Sequence, residues 1–315
     1  MKRSIASLAV SACLVVLLAV APPAGAAGFV SFVSDDGEDT GSCGTLATAC
    51  RQITFALGQT NEGGIIHVLP GEYIAFAPDK SIEIVADAGQ ASIFTTTVSD
   101  AGIAVNVSGT KAVRLRGFRI SAAHGILING GGGVVHIENC TILPAETNTG
   151  IVYAPTGASE LYVSDTIISG SGNPNAGGIS IKPTGSGSAK AVLDNVNVED
   201  NASGILIDGR TTSGSNTVTI RNSTISGNTS FGVYAADSAS GATNVTVEGS
   251  TSANNTTFGV GASGTNATVR VRNSTVNGNG TGLQIASSGK IISHGGNVVA
   301  GNTVNGAFTS TVVPQ

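Results

Sequence analysis

Apolar and polar residues alternate along this chain in short runs broken by Gly and Asn, and one run recurs. Val218-Thr-Ile220-Arg-Asn222-Ser-Thr-Ile225-Ser-Gly-Asn228 leads to Gly232-Val233, and Val269-Arg-Val271-Arg-Asn273-Ser-Thr-Val276-Asn-Gly-Asn279 leads to Gly282-Leu283. Val245-Thr-Val247-Glu-Gly249 leads likewise to Gly259-Val260. Alternation with a period of two predicts strands whose side chains point by turns inward and outward. Aligning the glycine that opens one strand of each unit gives Gly125, Gly150, Gly178, Gly204, Gly232, Gly259, Gly282 and Gly306, at intervals of 23 to 28 residues. Three short strands per period of that length predict a coil of parallel strands, right-handed because crossovers between parallel strands are right-handed. The expected fold is all-β, a parallel solenoid of about nine to ten coils over residues 64–315.

Two further columns follow from the alignment. Gly117, Asn139, Asp165, Asn195, Asn222, Gly249 and Asn273 are residue types that tolerate a left-handed backbone, so they predict a tight corner carrying a stacked polar ladder. The column before it reads Arg116, Glu138, Ser164, Asp194, Arg221, Glu248, Arg272. With coils ~4.8 Å apart, the pairs 116/138, 194/221, 221/248 and 248/272 set opposite charges side by side and fix register.

The first 63 residues break the pattern. Lys2 and Arg3, an apolar run from Ile5 to Val20 and Ala24-Gly25-Ala26 read as a signal peptide over 1–26. Its apolar run is shorter than the ~20 residues a membrane span needs. Residues 27–63 supply a first strand from Gly28, a loop between Cys43 and Cys50, and a short amphipathic helix over 51–59 with Ile53, Ala56 and Leu57 on one face. An exported chain and a short cysteine loop predict a Cys43–Cys50 disulfide. The helix is expected to cap the open end of the stack, whereas no capping helix follows Gly306, which leaves self-association through the C-terminal end as an expectation.

Composition narrows the function. Removing residues 1–26 leaves 13 basic against 20 acidic residues, a net charge of about −7, which argues against nucleic acid as partner. Cys140, beside a corner, reads as a small buried residue. His67 lies in an apolar run and His294 in a Gly-rich loop, and neither has a nucleophile motif near it. Asn-x-Ser/Thr triplets, at Asn201, Asn222, Asn244, Asn255, Asn266 and Asn273, use residue types that the corners already require.

The coils from about 64 to 308 resemble the right-handed parallel β-helix superfamily with the pectin-lyase-like fold. The stretch with Cys50-Arg51-Gln-Ile53 and Ile66-His-Val68-Leu-Pro70-Gly71-Glu-Tyr73 resembles the cap and first coil of its secreted bacterial members. That resemblance implies substrates among acidic polysaccharides, with site residues on the outward positions of one strand stack. Hydrolases of the superfamily carry Asn-Thr-Asp, Gly-His-Gly and Arg-Ile-Lys motifs. None occurs here, and Ala123-His124-Gly125 is the nearest approach to the second. Its pectate lyases use a calcium site of several carboxylates with an Arg or Lys base.

Outward positions on the strand after each aligned glycine bring one charged group together, Lys182, Asp208, Arg210, Tyr234 and Asp237 on three consecutive coils. Cations there suit a sugar carboxylate and Tyr234 a sugar face, although a surface ion pair between neighbouring coils is the favoured reading of Lys182 and Asp208. No catalytic residue and no metal ligand are assigned, and calcium enters only if the chain is a lyase. The expected function is that of a secreted or periplasmic non-catalytic β-helix, binding a glycan or another envelope component through a rigid surface. The alternatives are a polysaccharide lyase or glycoside hydrolase acting on an acidic polysaccharide, and an adhesin-like or assembly module.

Overall fold

A computed structural model describes residues 28–86, 90–95, 101–144, 148–172, 177–237 and 241–312; the signal sequence expected over 1–26 lies outside them. Strands of successive coils pair in parallel and form three walls. A twenty-stranded sheet bends into two of them, with strands such as Asn216–Arg221 in the first and Thr224–Ser226 in the second. Ala158–Ser169 and Ser188–Glu199 run through both and join them. An eight-stranded sheet from Ala101–Val105 to Thr281–Ala286 closes the third. Coils at either end reach that wall only through the single bridges Phe76 to Ile103 and Thr281 to Val304, so eight coils are three-sided by strands and the outermost are partial.

Inward positions stack by type. Leu115, Ile137, Val163, Leu193, Ile220 and Val247 lie in direct register on the first wall and all are buried. Such an aliphatic column removes a full side chain per coil from water, which supplies most of the stabilisation of the stack. All seven residues of the expected corner column have a positive φ, between 48° and 84°. At Asn222, with φ 51°, the short amide tolerates a conformation that strains a longer or branched side chain.

The aligned glycines open the third-wall strands for a different reason, close approach. A methyl at Gly204 would collide with the Gly232 carbonyl oxygen and the Ile225 side chain.

The polar ladder is not where the sequence places it. At the corner, Asn195 reaches Asp165 at 2.6 Å, but Asn222 reaches across to Asp194 at 2.9 Å and the glycines have nothing to offer. The continuous ladder lies between the second and third walls, buried from Asn201 to Asn279, and each asparagine side-chain carbonyl accepts from the backbone N–H of the asparagine one coil earlier. It runs Asn201, Asn228, Asn255, Asn279 and Asn302 at 2.9–3.3 Å. Burial strengthens these bonds and makes a missing partner costly. Asn201 and Asn255 are thus structural amides, closed to any glycosylating enzyme.

The charged column is in the expected register, and two of its four expected pairs form. Arg221 pairs with Asp194 at 2.8 Å and Arg272 with Glu248 at 3.6 Å. Glu138 pairs with Arg114 and not Arg116, because a guanidinium two positions along the neighbouring strand is within reach. Arg221 leaves Glu248 to Arg272.

The helix occupies Ile53–Gln59 and buries Ile53, Ala56 and Leu57 as expected. Cys43 and Cys50 are joined in a disulfide, and their loop occupies the free edge of the first strand, Gly28–Val33. There Phe32 donates its N–H to the Cys43 carbonyl at 2.8 Å, and Cys50 donates to the Phe32 carbonyl at 2.9 Å. At the other end Val298–Val299 and Ser310–Thr311 are two-residue strands.

Candidate functional site

Third-wall register sets Ser180, Leu206, Tyr234 and Gly261 in one outward column, with Asp208 beside Ala236 in the next. Outward parity does not make Asp208 exposed. The residue is 1% accessible, because charged neighbours close over it. Arg210 grips the carboxylate with two side-chain donors at 2.8 and 2.9 Å and adds its backbone N–H at 3.1 Å. Lys182, one coil earlier, lies 3.6 Å from the second oxygen. Burial pushes the Asp208 carboxyl up, but the hydrogen bonds and charge of Arg210 and the charge of Lys182 outweigh it, and the group is held below its ordinary value. The cations keep about half of their side-chain surface in solvent, 45% for Lys182 and 52% for Arg210.

Beside them stand three rings. Tyr234 packs against Phe231 with centroids 5.3 Å apart and edge-on to Phe258 at 5.4 Å, while Phe231 and Phe258 stack at 5.5 Å. Gly261 makes room for two of them, since a methyl there would meet both Phe258 and Tyr234. Phe231 and Phe258 were readable in the sequence, as each immediately precedes an aligned glycine. Asp237, the fifth residue of the expected group, is buried, with Oδ2 accepting from the Thr243 hydroxyl at 2.8 Å. The structure therefore brings together Lys182, Asp208, Arg210 and Tyr234 and sets Asp237 beneath the surface.

A second polar cluster lies on the first wall, where His136 and Tyr162 stand in register at outward positions of adjacent coils. His136 stacks on Tyr162 at 4.8 Å, the Tyr162 hydroxyl donates to Glu160 at 2.8 Å, and Lys190 approaches Glu160 at 3.5 Å. The Arg114–Glu138 pair borders His136. Burial first, then Arg114, push the His136 imidazole down. The rings face each other along the coil axis and turn their edges outward, which gives a sugar face little to lie on.

The remaining candidates are structural. His67 stacks on Phe32 at 5.4 Å. Cys140 is buried, and desolvation pushes its thiol up to about 11, so it is inert as a nucleophile. Among the described residues no three His, Cys, Asp or Glu side chains gather as a metal site, and no helix is long and apolar enough to cross a membrane.

Residues 124–304 match the family described as a right handed beta helix region. No curated protein sequence matches the chain. Among solved structures, pectate lyase Pel9A superposes with a TM-score of 0.64 at 17% identity, covering 93% of this chain and 80% of that one, a likeness of fold. The A-module of Azotobacter vinelandii mannuronan C-5 epimerase AlgE6 aligns at 15% identity over 80% of this chain and 92% of its own, with a TM-score of 0.26.

Proposed function

The chain belongs to the right-handed β-helix family, and we propose that it is a secreted, non-catalytic member that binds an acidic glycan of the cell envelope on its third wall. One observation carries the reading. The Asp208 carboxylate is occupied by Arg210 and Lys182 and held ionised, while both cations remain half-exposed beside the Phe231, Tyr234 and Phe258 rings. A general acid needs its proton near neutral pH, so its pKa must be raised. Asp208 is shifted the other way, and its work is to aim two cations outward. Guanidinium and ammonium suit the carboxylate of a uronic acid, and the Tyr234 ring, set at 57° and 69° to the two phenylalanines, suits the apolar face of the same sugar. The disulfide fits an oxidising compartment outside the cytoplasm.

The lyase or hydrolase alternative draws on the fold shared with a pectate lyase; calcium belongs to that alternative alone.

Affinity electrophoresis of the mature chain through gels containing uronate polysaccharides, with and without calcium, tests the reading. Retardation by an acidic polysaccharide and its loss in Arg210→Ala and Tyr234→Ala are the expected results. Release of unsaturated or reducing ends by the wild-type chain overturns the non-catalytic assignment.

A further inference from the structure

Charge is segregated along the coil axis. Residues 28–86 hold eight carboxylates against two cations, Arg51 and Lys80, whereas no Asp or Glu follows Glu248 and Arg270, Arg272 and Lys290 do. Coils stack in chain order, so this asymmetry is spatial and the molecule is a rod with an acidic end and a basic end. Each end also exposes apolar side chains by more than half of their surface. Phe29 and Leu46 lie in the first strand and in the loop paired to it, and Val298 and Val304 lie in the last coil. The Cys43–Cys50 loop adds a hollow of about 710 Å³ bordered by Asp36, Glu38 and Leu46.

We propose that the basic C-terminal end of one copy, with Lys290 on the last coil and Arg270 and Arg272 on the coil before it, docks on the acidic disulfide cap of a second copy, so that the rods associate head to tail. Opposite charges meet only in this order; pairing two C-terminal ends would bring Arg270, Arg272 and Lys290 against their own kind. The cap loop already fills the edge of the first strand. The contact is therefore made by side chains seated in and around the hollow and not by adding a strand to the sheet. A heterologous contact of this kind has no reason to close, and it generates open filaments. The proposal is independent of the glycan patch on the third wall, and each stands or falls without the other.

Sedimentation velocity of the mature chain over rising concentration, at low and high salt, is the test. At low salt the weight-average mass should pass about twice that of the monomer, since an open chain does not stop at two. At high salt it should return to the monomer, as screening shortens to ~3 Å at 1 M. Two charge-reversed variants, Arg270→Glu with Lys290→Glu and Asp36→Lys with Glu38→Lys, should each stay monomeric alone, with circular dichroism confirming the fold, and associate when mixed. A wild-type chain that remains monomeric at every concentration overturns the proposal. Association of the Asp36→Lys, Glu38→Lys variant by itself does so too, since it means that the C-terminal ends pair symmetrically.

Discussion

Arg221 lies 2.8 Å from Asp194 of the preceding coil, although Glu248 stands in register with it on the following one. An exposed pair of this kind contributes about 0–1 kcal/mol, whereas the adjacent Ile220 is fully buried in the aliphatic column. Arg221→Ala and Asp194→Ala should each change the unfolding free energy by less than about 1 kcal/mol, with a coupling in the double variant no larger than that. Ile220→Ala should cost roughly 2 to 5 kcal/mol. Urea titration of the four variants against the wild type checks this; equal effects from Arg221 and Ile220 would mean that charge and not burial holds the coils.

Asn255 both donates to Asn279 at 3.0 Å and accepts from Asn228 at 2.8 Å. Asn255→Ala leaves the buried Asn228 backbone N–H without its acceptor, at a cost of about 1–3 kcal/mol, while Asn279 still accepts from the Asn255 backbone N–H at 2.9 Å. The expected loss therefore exceeds that from removing the amide of Asn222, which is exposed. Comparison of the two thermal midpoints decides the point.

At the corner itself backbone strain is the measurable quantity. Asn222→Gly should leave stability nearly unchanged, whereas Asn222→Val, forced to φ near 51°, should lose about 1–2 kcal/mol. A Val variant as stable as the Gly variant would show that the corner relaxes.

The depressed Asp208 carboxyl gives a pH signature. A carboxyl with a lower folded than unfolded pKa stabilises the fold above the unfolded value, about 3.9. That stabilisation disappears as pH falls through the folded value. The wild-type melting temperature should exceed that of Asp208→Asn by a constant gap from neutral pH to about pH 5, and the gap should narrow in more acidic solution. A gap independent of pH would separate Asp208 from the titration.

Closing a loop seven residues long with the Cys43–Cys50 bond limits the unfolded chain by about 2 kcal/mol in the entropic account. Replacing both cysteines with serine should loosen the cap first. Amide exchange ought to quicken at Phe32 and at position 50 before it changes at Val135 or Ile137. Uniform quickening would show that the stack opens as one unit.

The corner was legible because only a few residue types accept a left-handed backbone, and Asn139, Asp165 and Asn222 announce it by identity alone. Register was legible because the aligned glycines leave no slack for a slip of one residue. The buried ladder was hidden by economy of residue types: Asn228 and Asn222 are the same residue six positions apart, one inside and one out, and composition does not separate them. Ion-pair partners went astray where side-chain length matters, since Arg114 reaches Glu138 from two positions away. On the third wall the alternation set Asp208 and Tyr234 outward, but parity says nothing of what folds over an outward position. Arg210 covers the first, and Asp237 lies beneath the surface.

Asn201, Asn228 and Asn255 bond at separations of 27 residues, and Asn255 and Asn279 at 24. Each amide answers only to the one above and the one below, so the spine does not count what the chain does between rungs. Segments bulging at the surface can lengthen or shrink through ordinary insertion and deletion. A whole turn can be duplicated or lost without rewriting any other.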